Sequence, residues 1–167
     1  MIKPTPSLGF ADAISASTSK IFQCKGRSRR SEFWWVQLAV LIVSLVLSPI
    51  VGFLLYLLTI PLTIRRLHDS GRSGWWWGIG ALLKVGVMVF LVYDIYEIYE
   101  ILMATGSNDN RIGFEVQFMS KLIVNYWVYS IAIAIYQVTL LVFFCFDSEQ
   151  IENKYGASPK YVETDNA

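Results

Sequence analysis

FWWVQLAVLIVSLVLSPIVGFLLYLLTIPLTI, residues 33 to 64, is a run of 32 consecutive positions without an Asp, Glu, Lys, Arg or His. As one straight helix it would be about 48 Å long, and fitting a hydrocarbon core of ~30 Å would need a tilt of roughly 50°, beyond the usual range. Ser48-Pro49 and Gly52 interrupt the run near its middle, and proline breaks a helix by removing an N–H and crowding the preceding turn. The stretch therefore predicts a tight hairpin turning near Pro49. Each leg has about 16 apolar residues, slightly short of a span unless Arg30 to Phe33 and Arg65 to Leu67 extend them by snorkelling. Six basic residues precede the run (Lys3, Lys20, Lys25, Arg27, Arg29, Arg30) and Arg65, Arg66 and Arg72 follow it. The positive-inside rule then keeps both ends of the hairpin cytoplasmic.

Two further apolar stretches, Trp75 to Tyr93 and Leu122 to Phe146, are long enough to cross. Between them, residues 94 to 121 carry five acids (Asp94, Glu97, Glu100, Asp109, Glu115) against Arg111 and Lys121, a balance expected of a non-cytoplasmic loop. Asp94 to Met103 reads as a helical extension of the third span, Thr105 to Asn108 as its break with a tip near Asn108, and Ile112 to Phe118 is left without an assignment. The expected architecture is an all-α integral membrane protein with about four transmembrane helices, the first two a tight hairpin. A basic cytoplasmic segment (1–32) leads into a membrane domain (33–146), and a cytoplasmic tail (147–167) follows. Before the first span, Leu8, Ala11, Ile14, Thr18, Ile21 and Phe22 recur at near-helical spacing, which reads as an amphipathic helix on the membrane surface or as a frayed polar arm.

Composition agrees. Of 167 residues, 54% are apolar and 16% charged, against roughly 45 to 50% and 25% in soluble domains. The 25 aromatic residues and a mean hydropathy of +0.46 exceed what one small aqueous core hides, so surface must face lipid. The net charge of +1 gives no footprint for nucleic acid. Cys24, Cys145 and the single histidine, His68, match no disulfide framework and no metal spacing, so neither metal nor cofactor is expected. The polar first 32 residues lack the apolar core of a cleavable signal peptide.

Three clusters remain. Lys25-Gly26-Arg27-Ser28-Arg29-Arg30 with Glu32 and Phe33-Trp34-Trp35 reads as a topology anchor with an aromatic belt, or as a cradle for anionic headgroups. Arg65-Arg66-Leu67-His68-Asp69-Ser70-Gly71-Arg72-Ser73-Gly74-Trp75-Trp76-Trp77 sets an imidazole beside a carboxylate, which without a nucleophile or second acid reads first as a hydrogen-bonded turn. Phe144-Cys145-Phe146-Asp147, Glu152-Asn153-Lys154-Tyr155-Gly156 and Pro159 read as an ordered exit from the membrane. Lys84, in the middle of the third span, costs about 2.5 to 3.5 kcal/mol on insertion scales and needs polar company.

Taken together, the clusters resemble the domain of unknown function 805 family of small bacterial inner-membrane proteins. The resemblance rests on Phe22, Gly26-Arg27, Arg30 and Glu32-Phe33-Trp34; on Arg65-Arg66-Leu67-His68-Asp69 and Gly71-Arg72-Ser73-Gly74-Trp75-Trp76; and on Cys145, Asp147, Glu152 to Gly156 and Pro159. It covers about residues 20 to 160 and implies a multi-span protein of the cytoplasmic membrane without supplying a reaction. Short members of the family pass from the Trp-Trp motif to the Cys motif in little more than one span, whereas some 70 residues intervene here.

The functional expectation is a non-catalytic module of the bacterial inner membrane, with no catalytic residue. Arg27, Arg30, Arg65, Arg66, His68, Asp69, Arg72, Trp75 and Trp76 are its candidate binding residues. The five arginines are expected to form one electropositive cytoplasmic surface, braced by Glu32, Asp69 and Asp147. Its partners are anionic lipid headgroups, with a membrane protein or a second copy of the chain as further partners and nucleic acid excluded. The alternatives are a transporter component using Lys84 and an interfacial enzyme using His68 and Asp69.

Overall fold

Pro49 and Pro61 shape the apolar run. In the computed structural model of the chain, which describes residues 2–104 and 111–163, α2 (Arg30–Val46) stops shortly before Pro49 and α3 (Pro49–Leu58) begins on it. The Ser48 hydroxyl accepts the Val51 N–H at 3.3 Å, and proline takes the first helical position, where its missing N–H leaves nothing unpaired. The chain doubles back there and α3 packs along α2. A Cβ built on Gly52 would fall 2.2 Å from the Ser44 Cβ, so only glycine admits this approach of the two legs.

The second leg is bent. α3 gives way at Thr59 to α4 (Ile60–Asp69), and the two are bent by 47°. Pro61 supplies no N–H to the Leu57 carbonyl and crowds it, which accounts for the bend. Thr59 holds the corner: its hydroxyl donates to the Tyr56 carbonyl at 2.8 Å and its own carbonyl accepts from Thr63.

Two corrections concern the ends and the middle. The termini are not all-α: β1 (Ile2–Pro4) pairs antiparallel with β2 (Tyr161–Glu163), Lys3 opposite Val162. Within 94–121, Asp94 to Met103 continues α5 (Trp75–Ala104) as the helical extension expected, whereas the stretch from Arg111, part of the expected loop and unassigned over Ile112 to Phe118, is helical as the start of α6 (Arg111–Cys145). The expected tip near Asn108 lies outside the described residues. α1 (Phe10–Thr18) forms on the predicted spacing but ends before Ile21 and Phe22, and its buried residue is Ala13.

The chain divides into two compact units, Met1–Trp77 with Leu140–Ala167, and Gly78–Thr139. In the first, Phe33, Val36 and Leu62 make a small core on which Ile14, Val40 and Phe144 pack. In the second, α5 and α6 are antiparallel: Gly80 lies against Tyr136, Phe90 stacks on Tyr129 at 5.5 Å, and Lys121 pairs with Glu97 at 2.7 Å. Trp75–Glu100 and Met119–Cys145 are long and apolar enough to cross a membrane, and the bent pair α3–α4 makes a third candidate span. Their outward residues, among them Leu82, Val85, Met88 and Val124, are large, apolar and exposed, as a surface in lipid requires. Lys84 is also on the exposed side of α5. The protein is thus a predominantly helical membrane protein.

Candidate functional site

Lipid tails are as apolar as leucine, so burying side chains gives helices little drive to associate inside a bilayer; close packing and polar bonds must do it. The first unit supplies such bonds in a knot of arginines. α4 ends in a Schellman motif: Gly71, at φ +71, donates to the His68 carbonyl at 3.1 Å and Arg72 to the Leu67 carbonyl at 2.9 Å. This ending explains why glycine directly follows Arg-Arg-Leu-His-Asp-Ser, and it leaves Arg66 and Asp69 turned inward, both 0% exposed.

Asp69 is the centre. Its Oδ1 accepts Arg27 Nε at 3.0 Å, and its Oδ2 accepts Arg66 Nη1 at 2.6 Å and the Ser148 hydroxyl at 2.5 Å. Arg27 makes one hydrogen bond for each N–H of its fork, the other four going to the carbonyls of Ile151, Gly156, Asp69 and Glu149. Arg66 reaches the end of α6, donating to the Phe144 carbonyl at 3.0 Å and to that of Phe146. Arg30 donates to the Cys145 carbonyl at 3.2 Å. Two guanidiniums therefore satisfy carbonyls that α6 cannot pair itself, at the negative end of its dipole.

The remaining candidates are also engaged. A carbonyl only accepts, so His68 Nδ1, 3.2 Å from the Gly26 carbonyl, carries the proton; the ring stacks on Tyr155 at 3.7 Å. Asn153 builds the turn beneath it, accepting the Tyr155 N–H at 2.9 Å and donating to the His68 carbonyl at 3.1 Å. Arg65 is buried 3.5 Å from Glu32, an ion pair with no hydrogen bond to its guanidinium among the described residues. Arg72 lies 3.9 Å over the Phe143 ring, which Trp76 meets edge-on at 5.0 Å, while Trp75 is exposed.

The expected electropositive surface is therefore corrected. Arg27, Arg65 and Arg66 are buried and paired, because an isolated buried charge costs far more than the hydrogen bonds and carboxylates that hold these three. Arg30 remains half-exposed, 3.3 Å from Asp147. Burial alone would raise the Asp147 carboxyl, but the hydrogen bonds from Lys160 and Ser148 and the charges of Arg30 and Lys160 outweigh it and hold the carboxyl below its usual range. Lys160, bonded to Asp147 at 2.5 Å, is raised above its own.

An open cleft of about 480 Å³ beside Arg30 is lined by Thr5 and Lys160, which sequence reasoning missed, and by Arg29, which it placed in the first basic cluster without singling it out. Arg29 sits within a run of like charges, and a run does not reveal which of its members turns inward; Lys160 follows the Pro159 that closes the third cluster. Among the described residues no group of three His, Cys, Asp or Glu stands where it would hold a metal ion.

The sequence pattern of the family described as Protein of unknown function (DUF805) matches residues 46–157, which take in the second cluster and all of the third but Pro159. The chain belongs to this family. The DUF805 match begins after Gly26 to Trp34, so the first cluster meets the other two in space rather than within the matched stretch. The chain is similar to Inner membrane protein YhaI of Escherichia coli (strain K12), 34% identical over 110 residues, which cover 58% of this chain and 87% of the relative. It is also similar to Inner membrane protein YhaH of the same strain, 28% identical over 88 residues, 42% of this chain and 73% of the relative. No solved structure matches.

Proposed function

We propose that this DUF805 protein crosses the inner membrane four times with both termini in the cytoplasm, and that it is a non-catalytic module holding anionic lipid at that face. One observation carries the reading: the start of α2, the end of α4, the start of α5 and the end of α6 all lie in the unit that holds the arginine knot. Helices that begin and end at one place cross in pairs, and the surrounding positive charge favours the cytoplasmic side. Both Asp69 carboxylate oxygens and His68 Nδ1 are held by structural partners, which supports a binding role over acid-base chemistry.

Reporters fused after Gly71 and at the C-terminus are expected to read cytoplasm, and a reporter after Asn108 periplasm. A periplasmic signal after Gly71 would mean that residues 33 to 64 cross once. For the binding role, native mass spectrometry of the full-length protein released from nanodiscs of equal phosphatidylglycerol and phosphatidylcholine should show the anionic lipid retained in excess. Equal retention would end the headgroup reading.

A further inference from the structure

We propose that the cleft beside the β1–β2 pairing binds a phosphate ester, with Arg29, Arg30 and Lys160 as its cationic walls. The inference rests on the headgroup reading above and places the contact at residues outside the buried knot. Arg29 is 8% exposed, and it donates twice to Thr5, from Nη1 to the hydroxyl at 3.1 Å and from Nη2 to the carbonyl at 3.2 Å. Arg27, Arg30, Arg65 and Arg66 each have a carboxylate within 4 Å. Arg29 has none among the described residues, so it is a buried cation whose environment supplies dipoles and no counter-charge.

The cleft in front of it is not neutral. Arg30 and Lys160 share a single acid, Asp147, at 3.3 and 2.5 Å, so three cations face one carboxylate. The Ser31 hydroxyl accepts the Leu8 N–H at 3.2 Å and keeps its own O–H to donate. Trp34, 40% exposed, forms part of the same wall, the position an amphipathic ring takes at the level of lipid headgroups. Guanidinium forks match the oxygens of a tetrahedral phosphate, and a lysine ammonium adds a point charge. A volume of about 480 Å³ admits the ester's glycerol as well. The strap holds the geometry: Thr5 N–H and hydroxyl both donate to the Lys160 carbonyl, at 2.7 and 3.0 Å, so Arg29, Thr5 and Lys160 form one chain of bonds.

Phosphate esters come from two sources, a lipid headgroup or a soluble ester, and the experiment separates them. Lipid retention from the mixed nanodiscs and calorimetric binding of glycerol 3-phosphate are measured on the full-length protein. Because replacing Arg29 would also loosen Thr5, the test variants are Lys160→Gln and Asp147→Asn, with Lys20→Gln and Glu152→Gln making the same charge changes at exposed sites elsewhere. Lys160→Gln should weaken retention of phosphatidylglycerol about fivefold and Asp147→Asn should strengthen it by a similar factor, with both controls within twofold of the parent. If each variant matches its control, charge acts at large and the cleft is not the site, while the headgroup reading stands. If the parent prefers no anionic lipid but glycerol 3-phosphate binding follows the variants, the site is real and its ligand soluble. If neither ligand binds, both readings fall.

Discussion

Asp69→Asn is expected to destabilise the detergent-solubilised protein by about 3 to 5 kcal/mol, seen as a lowered midpoint of thermal unfolding followed by circular dichroism. The carboxylate is fully buried and holds two guanidiniums and a hydroxyl. An amide removes the negative charge and turns an N–H₂ toward one of these donors, leaving Arg27 and Arg66 buried without compensation. Arg66→Met should also destabilise, because it strips the carbonyls of Phe144 and Phe146 of their donor. The double variant should lose less than the sum of the two, since the second change removes a charge that the first had orphaned. Unchanged melting in Asp69→Asn and His68→Gln, together with loss of a cellular phenotype, would instead assign the motif to chemistry.

The second large effect is expected at the hairpin. Gly52→Val places a branched side chain where even a Cβ lies 2.2 Å from the Ser44 Cβ and 3.1 Å from its Cα. The nearer obstacle is the first carbon of its side chain and the further one is backbone, so no rotamer change relieves the clash and α3 must move away from α2. Overpacking of this kind costs up to about 3 kcal/mol, and more where backbone resists. Gly52→Ala should be milder and should recover in part when paired with Ser44→Gly. Full stability of Gly52→Val would show that the two legs do not need this approach.

The hairpin was legible in sequence because proline chemistry is local: Pro49 opens a helix wherever it stands, and 32 uncharged residues are too long for one crossing. Pro61 carried the same information, and the run's continuous hydropathy hid its bend. The polar cluster around His68 was legible as a turn, since Ser70 and Gly71 spell the helix ending that Leu67 and His68 complete. Less legible was the fate of the arginines. A row of basic residues at a membrane edge reads as a surface, but Arg27 and Arg66 are held mostly by backbone carbonyls of residues 144 to 156, and a carbonyl has no letter in the sequence. That Arg29 and Lys160 share one cleft became visible only through the strand pairing of the two termini, a contact that three-residue strands announce weakly.

The arginine knot also has a history in time. Arg27 and Arg66 leave the ribosome before the carbonyls of the tail and of the end of α6 that hold them, which follow 78 to 129 positions later. At ordinary elongation rates that interval is on the order of ten seconds. Throughout it, of their final partners, the guanidiniums have only Asp69 and the Ser28 carbonyl, and their remaining N–H groups keep to water. A chain interrupted anywhere before Gly156 keeps at least one of these groups wanting, whatever the quality of its helices. The segment from Phe144 to Gly156 thus acts as a latch on folding: the guanidiniums of Arg27 and Arg66 find their full set of partners only once it has been made.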